Sequence, residues 1–254
     1  GQKKSLIGSF FAKLVATKTF KFIAISNSVK NFLISDFVGI SKKKIKVIYY
    51  GLDKLPQSKI TLSDKKNLIK FNKIKKNTII IGCIARLVPQ KSLTTLFDAI
   101  ALYKKNSKKN IKLILVGKGF LKDDLKEYSN KQGIRENIIW IDFLDDVKTF
   151  YDSIDIFALS SLYEGFGLVF LEAMLCKKPI VSTHVSAISE VVINNISGIL
   201  VPVKNSYKIK DAFLKLDKKR VRIIYGLNGY KRVKTKFTVK KMYTETHKVY
   251  ELTK

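Results

Sequence analysis

Arginine and histidine are rare in a chain crowded with positive charge. Five of its 49 basic residues are arginine (Arg86, Arg135, Arg220, Arg222 and Arg232), and the other 44 are lysine. A surface that reads nucleic acid leans on arginine for bidentate contacts to bases and phosphates, so DNA or RNA is not an expected partner. His184 and His247 are the only histidines, which leaves no basis for a histidine triad or a histidine-rich metal site. Cys83 and Cys176 are the only cysteines, too few for a zinc cluster or a disulfide framework, and they suit a reducing compartment. No Asp-x-Asp triplet occurs, so a metal-held diphosphate lacks its usual ligands and no metal is expected. The phosphate loop Gly-x-x-x-x-Gly-Lys-Ser/Thr, the His-Glu-x-x-His pair and the Gly-x-Ser-x-Gly elbow are absent too. No apolar run approaches the roughly 18–20 residues of a membrane-spanning helix. The apolar opening at Leu6–Ala12 is broken by Lys13 and Lys18, and no clear cleavage site follows. The first residue is Gly1 rather than methionine, which reads as a start inside a longer protein.

What is present is a folded, strongly basic chain. With 254 residues, 46% hydrophobic and 27% charged, it can bury a full core in one large or two small domains. Its formal charge of +29 is uneven: residues 1–78 carry +15, residues 201–254 carry +12, and the middle carries +2. Such a balance bears on solubility and attraction to anionic surfaces, not on fold.

Leu6, Ile7, Phe10, Phe11, Leu14 and Val15 recur at helical spacing, which predicts an amphipathic helix, packed on a core or lying on a membrane surface. Phe22–Ile25 predicts a strand, Ser26 or Ser28 a cap for a helix to about Phe37, and Ile45–Ile48 a second strand ending near Gly51. Residues 54–77, rich in Lys and Asn, read as an exposed connection. From Thr78 short apolar runs at 79–84, 113–116, 138–141, 156–159, 180–182 and 199–201 alternate with helical stretches. Strands without polar alternation, separated by helices, predict a doubly wound parallel α/β sheet covered on both faces. Helical, Lys-rich sequence follows Pro202 to the end. Ligands of such sheets bind beyond the carboxyl ends of the strands, so the loops after each strand are where chemistry is expected.

Three of those loops carry candidate residues. Gly117-Lys118-Gly119 opens a strand-to-helix turn, but Lys122 stands where a dinucleotide fingerprint needs its third glycine. A tight turn near a nucleotide is the better reading. Arg86 and Lys91 flank the loop after the first long strand, where two cations can neutralise a diphosphate leaving group through charge-assisted hydrogen bonds; either alone reads as a surface charge. The run Ser160–Met174 joins a strand to a helix and holds Glu164 and Glu172 eight residues apart. Gly165 and Gly167 let its backbone turn sharply, and the helix start near Gly167 offers free N–H groups to an anion. Glu164 beside a phosphate is costly unless it grips something else, such as sugar hydroxyls. A glycine turn with a capping acid is the plainer alternative.

Together these pieces resemble the C-terminal, donor-binding half of a retaining glycosyltransferase of the GT-B fold, family 4. The resemblance rests on a Glu-x7-Glu motif, Glu164 to Glu172, and an Arg-Leu-x-x-x-Lys loop, Arg86 to Lys91. Val116–Gly119, Phe143-Leu144, Lys178–Val181, Ser189–Val192 and Gly198–Pro202 support it in order and spacing over about residues 22–250. Against the family pattern, Ser186-Ala187, Tyr50, Ser92 and Asp145 stand where glycines or an asparagine are common.

The resemblance implies a nucleotide-sugar donor, UDP- or GDP-linked, with no cofactor or metal. Arg86 and Lys91 would hold its diphosphate, Glu164 the sugar hydroxyls and Glu172 the ribose. Backbone groups of Gly165, Phe166, Gly167 and Leu168 would cradle sugar and phosphate, and the loops at Gly117 and at Leu144–Val147 would lie near the base. The acceptor would be a cell-envelope glycan or glycolipid. Residues 1–44 would be the remnant of an acceptor domain, 45–216 a Rossmann-like donor domain, and 217–254 C-terminal helices packing back towards the acceptor side. That return would bring the two basic ends together as one flank facing an anionic membrane, with the chain in the cytoplasm or peripheral on the inner face of the cytoplasmic membrane. The competing reading is a non-catalytic basic α/β module that binds nucleic acid or an anionic membrane.

Overall fold

The computed structural model describes residues 19–35, 40–55 and 77–252. The expected helix over residues 6–15 and most of the expected connection at 54–77 lie outside them.

The large domain is a six-stranded, all-parallel sheet. Its strands, numbered after the two short ones described below, are β3 (Thr78–Ile84), β4 (Asn110–Val116), β5 (Ile138–Ile141), β6 (Ile156–Leu159), β7 (Ile180–Thr183) and β8 (Gly198–Val201). Their spatial order is β5-β4-β3-β6-β7-β8, the doubly wound arrangement. Helices cover both faces of the sheet: every residue of β6, β7 and β8 is buried, as are Ile81 and Cys83 of β3. Cys83 and Cys176 are both free, and burial pushes the Cys83 thiol up to about 12.

The covering helices in chain order are α2 (Leu93–Asn106), α3 (Lys122–Lys131), α4 (Val147–Ser153), α5 (Leu168–Leu175), α6 (Ile188–Val191) and α7 (Ser206–Leu216). The chain steps outward from β3 to β5, then returns to pair β6 with the other side of β3 through Ile81 opposite Ile156. At that reversal the loops after β3 and β6 diverge to either side of one crevice, and the strand order alone puts them there.

Ahead of the sheet stands a small unit. Strand β1 (Phe22–Ala24) pairs in parallel with β2 (Ile45–Val47), and helix α1 (Asn27–Ser35) connects towards it. Ala24, Ile40 and Ile45 form its own apolar cluster, separate from the main core. The expected boundary between residues 44 and 45 falls between β1 and β2, and the two strands satisfy each other's ladder. Ser26, not Ser28, caps α1, its Oγ accepting from the Val29 N–H at 3.0 Å.

The two last helices behave differently from one another. Helix α8 (Lys219–Lys236) buries Tyr225 and Val233 and packs along α5 of the large domain. Helix α9 (Val239–Glu251) turns back to the N-terminal unit, where Glu245 pairs with Lys46 of β2 at 3.0 Å. Helix α9 thus contacts the N-terminal unit at this ion pair.

Candidate active site

The loop after β3 runs from Ala85 to Ser92 and contains one tight turn at Pro89–Lys91. The loop after β6 runs from Ser160 to Gly167. The two are laced together: Leu162 N–H donates to the Gln90 carbonyl at 2.8 Å, and Gln90 Nε2 to the Tyr163 carbonyl at 2.8 Å. Ser160 Oγ, fully buried, reaches the Lys91 and Ser92 carbonyls. Across this seam Lys91 Nζ lies 2.5 Å from Glu164 Oε1, with the side chains only 13% and 9% exposed. Ser161 Oγ donates to the same carboxylate oxygen at 2.7 Å. A charge pair this far from water stands only with its partners in place. Arg86 remains exposed at the rim.

The third wall explains the Gly117–Gly119 turn. Gly117 has φ +145°, and a Cβ there would lie 1.9 Å from the Ala85 carbonyl oxygen. The β4 loop thus presses against the β3 loop, and the Lys118 carbonyl accepts the Leu87 N–H at 2.9 Å. Glycine serves backbone contact here rather than a dinucleotide. The β5 loop closes the far side, with Leu144 buried and Phe143 71% exposed. Lys122 pairs with Asp142 at 2.5 Å and holds that exposed carboxyl below its ordinary range.

These loops enclose a cleft of about 430 Å³. Arg86, Lys91 and Glu164 line it, as do Gly117, Leu144, Val147, Gly167 and Leu168. Three expected residues do not. Phe166 is 2% exposed and packs inward against Tyr49, Tyr50 and Phe237, so only its backbone remains for a ligand. The Gly165 carbonyl is already taken by Ser26 Oγ at 2.8 Å. Glu172 lies one turn along α5 from the wall residues Leu168 and Val169. It accepts a 2.8 Å hydrogen bond from the Tyr151 hydroxyl, and burial raises its carboxyl despite that bond. Gly167, at φ +80°, precedes α5, and with Leu168 and Val169 it lines the cleft, so the N-terminal end of that helix borders it.

Sequence reasoning missed several participants. Ser161 and Tyr151 carry no motif and are found only through their contacts with Glu164 and Glu172. Asp142 was visible only as an acid near a strand end, and Phe143 only as half of a Phe-Leu match. Among the described residues no group of three or more His, Cys, Asp or Glu side chains converges as a metal site, and no helix is long and apolar enough to cross a membrane.

Comparison with known proteins bears on the family and the fold. The family model described as Glycosyl transferases group 1 matches residues 64–231. The glycosyltransferase MJ1069 of Methanocaldococcus jannaschii is 32% identical over 259 residues, covering 98% of this chain and 63% of the relative. The capsular polysaccharide biosynthesis glycosyltransferase CapM of Staphylococcus aureus is 27% identical, covering 90% of this chain and 60% of CapM. The chain therefore spans somewhat under two thirds of the length of these relatives. In fold, the crystal structure of Anabaena HepE in complex with UDP and glucose matches with a TM-score of 0.83 at 24% identity, over 97% of this chain and 67% of that one. By sequence this chain belongs to the group 1 glycosyltransferases, and its large domain is the Rossmann-like domain of their GT-B fold.

Proposed function

We propose that the chain is the donor-binding half of a retaining, family 4 hexosyltransferase. In this reading a UDP- or GDP-linked sugar passes, with its anomeric configuration kept and without a metal, to a cell-envelope glycan or glycolipid. The observation that carries the reading is the Lys91–Glu164 pair beside Arg86, set at the crevice between β3 and β6. It combines cations for a leaving diphosphate with a carboxylate for hydroxyl groups, within one cleft. The Staphylococcus aureus CapM and Escherichia coli O-antigen enzyme WclY, by their names, act in polysaccharide biosynthesis, and HepE was crystallised with UDP. Family membership disfavours the alternative of a non-catalytic basic module.

During transfer the bond from the sugar C1 to the diphosphate oxygen breaks with its electron pair leaving on the diphosphate, an acceptor hydroxyl oxygen bonds to C1 on the same face, and the hydroxyl proton passes to the departing diphosphate. Arg86 and Lys91 neutralise that charge. Lys91 gives one N–H to Glu164 and keeps two for phosphate oxygens. The α5 N–H groups add positive potential, so positioning and electrostatics lower the barrier. Glu164 binds sugar hydroxyls and Glu172 the ribose.

Titration calorimetry with UDP and GDP tests the reading. Binding is expected to one of them and to weaken at least tenfold in Arg86→Ala and Glu172→Ala; no binding by the unaltered chain, or equal binding by the variants, overturns it. The basic flank is proposed to meet an anionic leaflet on the cytoplasmic side, and Lys→Glu changes over residues 3–21 should then release the chain from anionic vesicles.

A further inference from the structure

The sheet accounts for how the cleft loops reach one another, but not for how the N-terminal unit is held against them. The two bodies have separate apolar clusters, with Ile25 and Tyr49 packing across onto the main core, and a polar joint lies beside that apolar contact. That joint is centred on Glu190, in the single turn of α6. Its Oε2 accepts from the Asn27 N–H at 2.9 Å, from Asn27 Nδ2 at 2.8 Å and from the Tyr49 hydroxyl at 2.8 Å. Its Oε1 accepts from the Ser28 N–H at 2.9 Å. The carboxylate is thus engaged by the first turn of α1 and by Tyr49 in the segment that follows β2.

No lysine or arginine shares this carboxylate as an ion pair among the described residues. The negative charge is met by the N-terminal end of α1 and by neutral donors, with Lys236 of α8 acting on it electrostatically from beyond ion-pair distance. The other side of Glu190 is fixed as well, since Arg232 of α8 donates to the Glu190 and Val191 carbonyls at 2.7 Å each.

The same junction touches the loop that carries Glu164. Ser26, which caps α1, donates to the Gly165 carbonyl, and the Ala187 N–H that opens α6 lies 3.5 Å from the Glu164 carbonyl. Tyr49, whose hydroxyl reaches Glu190, packs its ring 5.9 Å from Phe166. Residues 164, 165 and 166 are therefore each tied to the N-terminal unit or to α6, and Glu190 ties those two together.

We propose that Glu190 is a positioning residue: by holding the start of α1 and Tyr49, it fixes the Glu164–Phe166 backbone in the place where the donor sugar is read. This rests on the donor reading above, and it adds a residue that touches neither nucleotide nor sugar. In that reading nucleotide contacts come from Arg86, Lys91, Glu172 and the α5 end, whose backbone belongs to the large domain rather than to the N-terminal unit. Loss of the Glu190 joint should consequently spare the nucleotide and cost the sugar.

The experiment compares affinities for UDP with UDP-glucose, and for GDP with GDP-mannose, in the unaltered chain, Glu190→Gln, Glu190→Ala and Arg86→Ala. In Glu190→Ala the nucleotide affinity is expected to stay within twofold, while the ratio of nucleotide-sugar to nucleotide dissociation constants rises about fivefold or more. Glu190→Gln should shift that ratio in the same direction by less. Tyr49→Phe, which deletes one of the four bonds and leaves Glu190 in place, serves if both Glu190 variants fail to fold, and should move the ratio by a further smaller amount. An unchanged ratio overturns the proposal, as does an equal weakening of both ligands, which would mark a general packing role. Nucleotide binding that is lost in Arg86→Ala, together with an unchanged ratio in the Glu190 variants, leaves the donor reading standing and removes this one. Absence of any nucleotide binding by the unaltered chain removes the donor reading, and this inference with it.

Discussion

Lys91 and Glu164 are 73 positions apart in the chain, yet Lys91 Nζ and Glu164 Oε1 meet at 2.5 Å across the seam between two loops. The contact neutralises both groups in a place where water barely reaches them. Removing either partner alone leaves an uncompensated charge, which in buried pairs costs about 3–5 kcal/mol. Lys91→Met or Glu164→Gln should each lower stability towards that range, and the double variant should recover most of the loss. Urea unfolding of the four proteins in a double-mutant cycle measures it.

Arg86 is exposed at the rim, so its loss should leave stability alone and show only in binding. A hydrogen bond to a charged group contributes roughly 1.5–3 kcal/mol, which corresponds to about a 10- to 150-fold loss of nucleoside-diphosphate affinity in Arg86→Ala. Calorimetry alongside a thermal melt separates the two effects. A fall in melting temperature matching the fall in affinity would contradict the assignment.

Gly117 cannot accept a side chain without moving the β3 loop, because a Cβ would lie 1.9 Å from the Ala85 carbonyl oxygen and φ is +145°. Gly117→Ala should destabilise the chain by about 1–3 kcal/mol or more and weaken nucleotide binding together with it. Gly133, at φ +65° with open space around its Cβ position, is the control: alanine there meets backbone strain alone.

Glu172 is a carboxylate raised by burial and partly restored by the Tyr151 hydroxyl. Its native pKa lies above the ordinary 4.5, so the native state binds the proton more tightly than the unfolded chain, and stability falls as pH rises from that value through the raised one. Tyr151→Phe removes the opposing bond and pushes Glu172 higher still. The variant should therefore lose more stability at pH 7 than at pH 4, which paired denaturation curves can read.

Glu190 has the opposite sign. Burial would raise it, but the Asn27 and Ser28 N–H groups and the Tyr49 hydroxyl bring its pKa below the ordinary 4.5. Its contribution is complete above that ordinary value and is lost as pH falls through the lowered one. Hydrogen exchange over residues 22–35, taken relative to the intrinsic amide rate at each pH, should rise in the unaltered chain as pH falls below the ordinary 4.5. In Glu190→Gln it should be fast already at pH 7, with little further change on acidification.

The strands of the large sheet were legible because burial on both faces leaves an unbroken apolar run, as in Ile79–Ile84 and Ile156–Leu159. The loops that bear Arg86, Lys91 and Glu164 were legible for the related reason that a doubly wound sheet exposes chemistry only at its strand ends. The place of the Phe166 ring was not legible: only its backbone was expected at the ligand, and the burial of the ring comes from Tyr49 and Phe237, distant in sequence. Glu190 was visible only as part of a Ser-Glu-Val-Val match, since its partners Asn27 and Tyr49 lie 163 and 141 residues away.

By itself, then, the sequence determined the alternation of buried strands and helices, the turns that need glycine, and which loops carry cations and carboxylates. These follow from local periodicity and side-chain chemistry, which act within a few residues. The tertiary structure alone decided that the β3 and β6 loops share one crevice, that Lys91 neutralises Glu164, and that Glu190 fastens the N-terminal unit to them. Those relationships depend on the strand order and on which bodies dock. Both are set by long-range packing, which leaves no period in the chain.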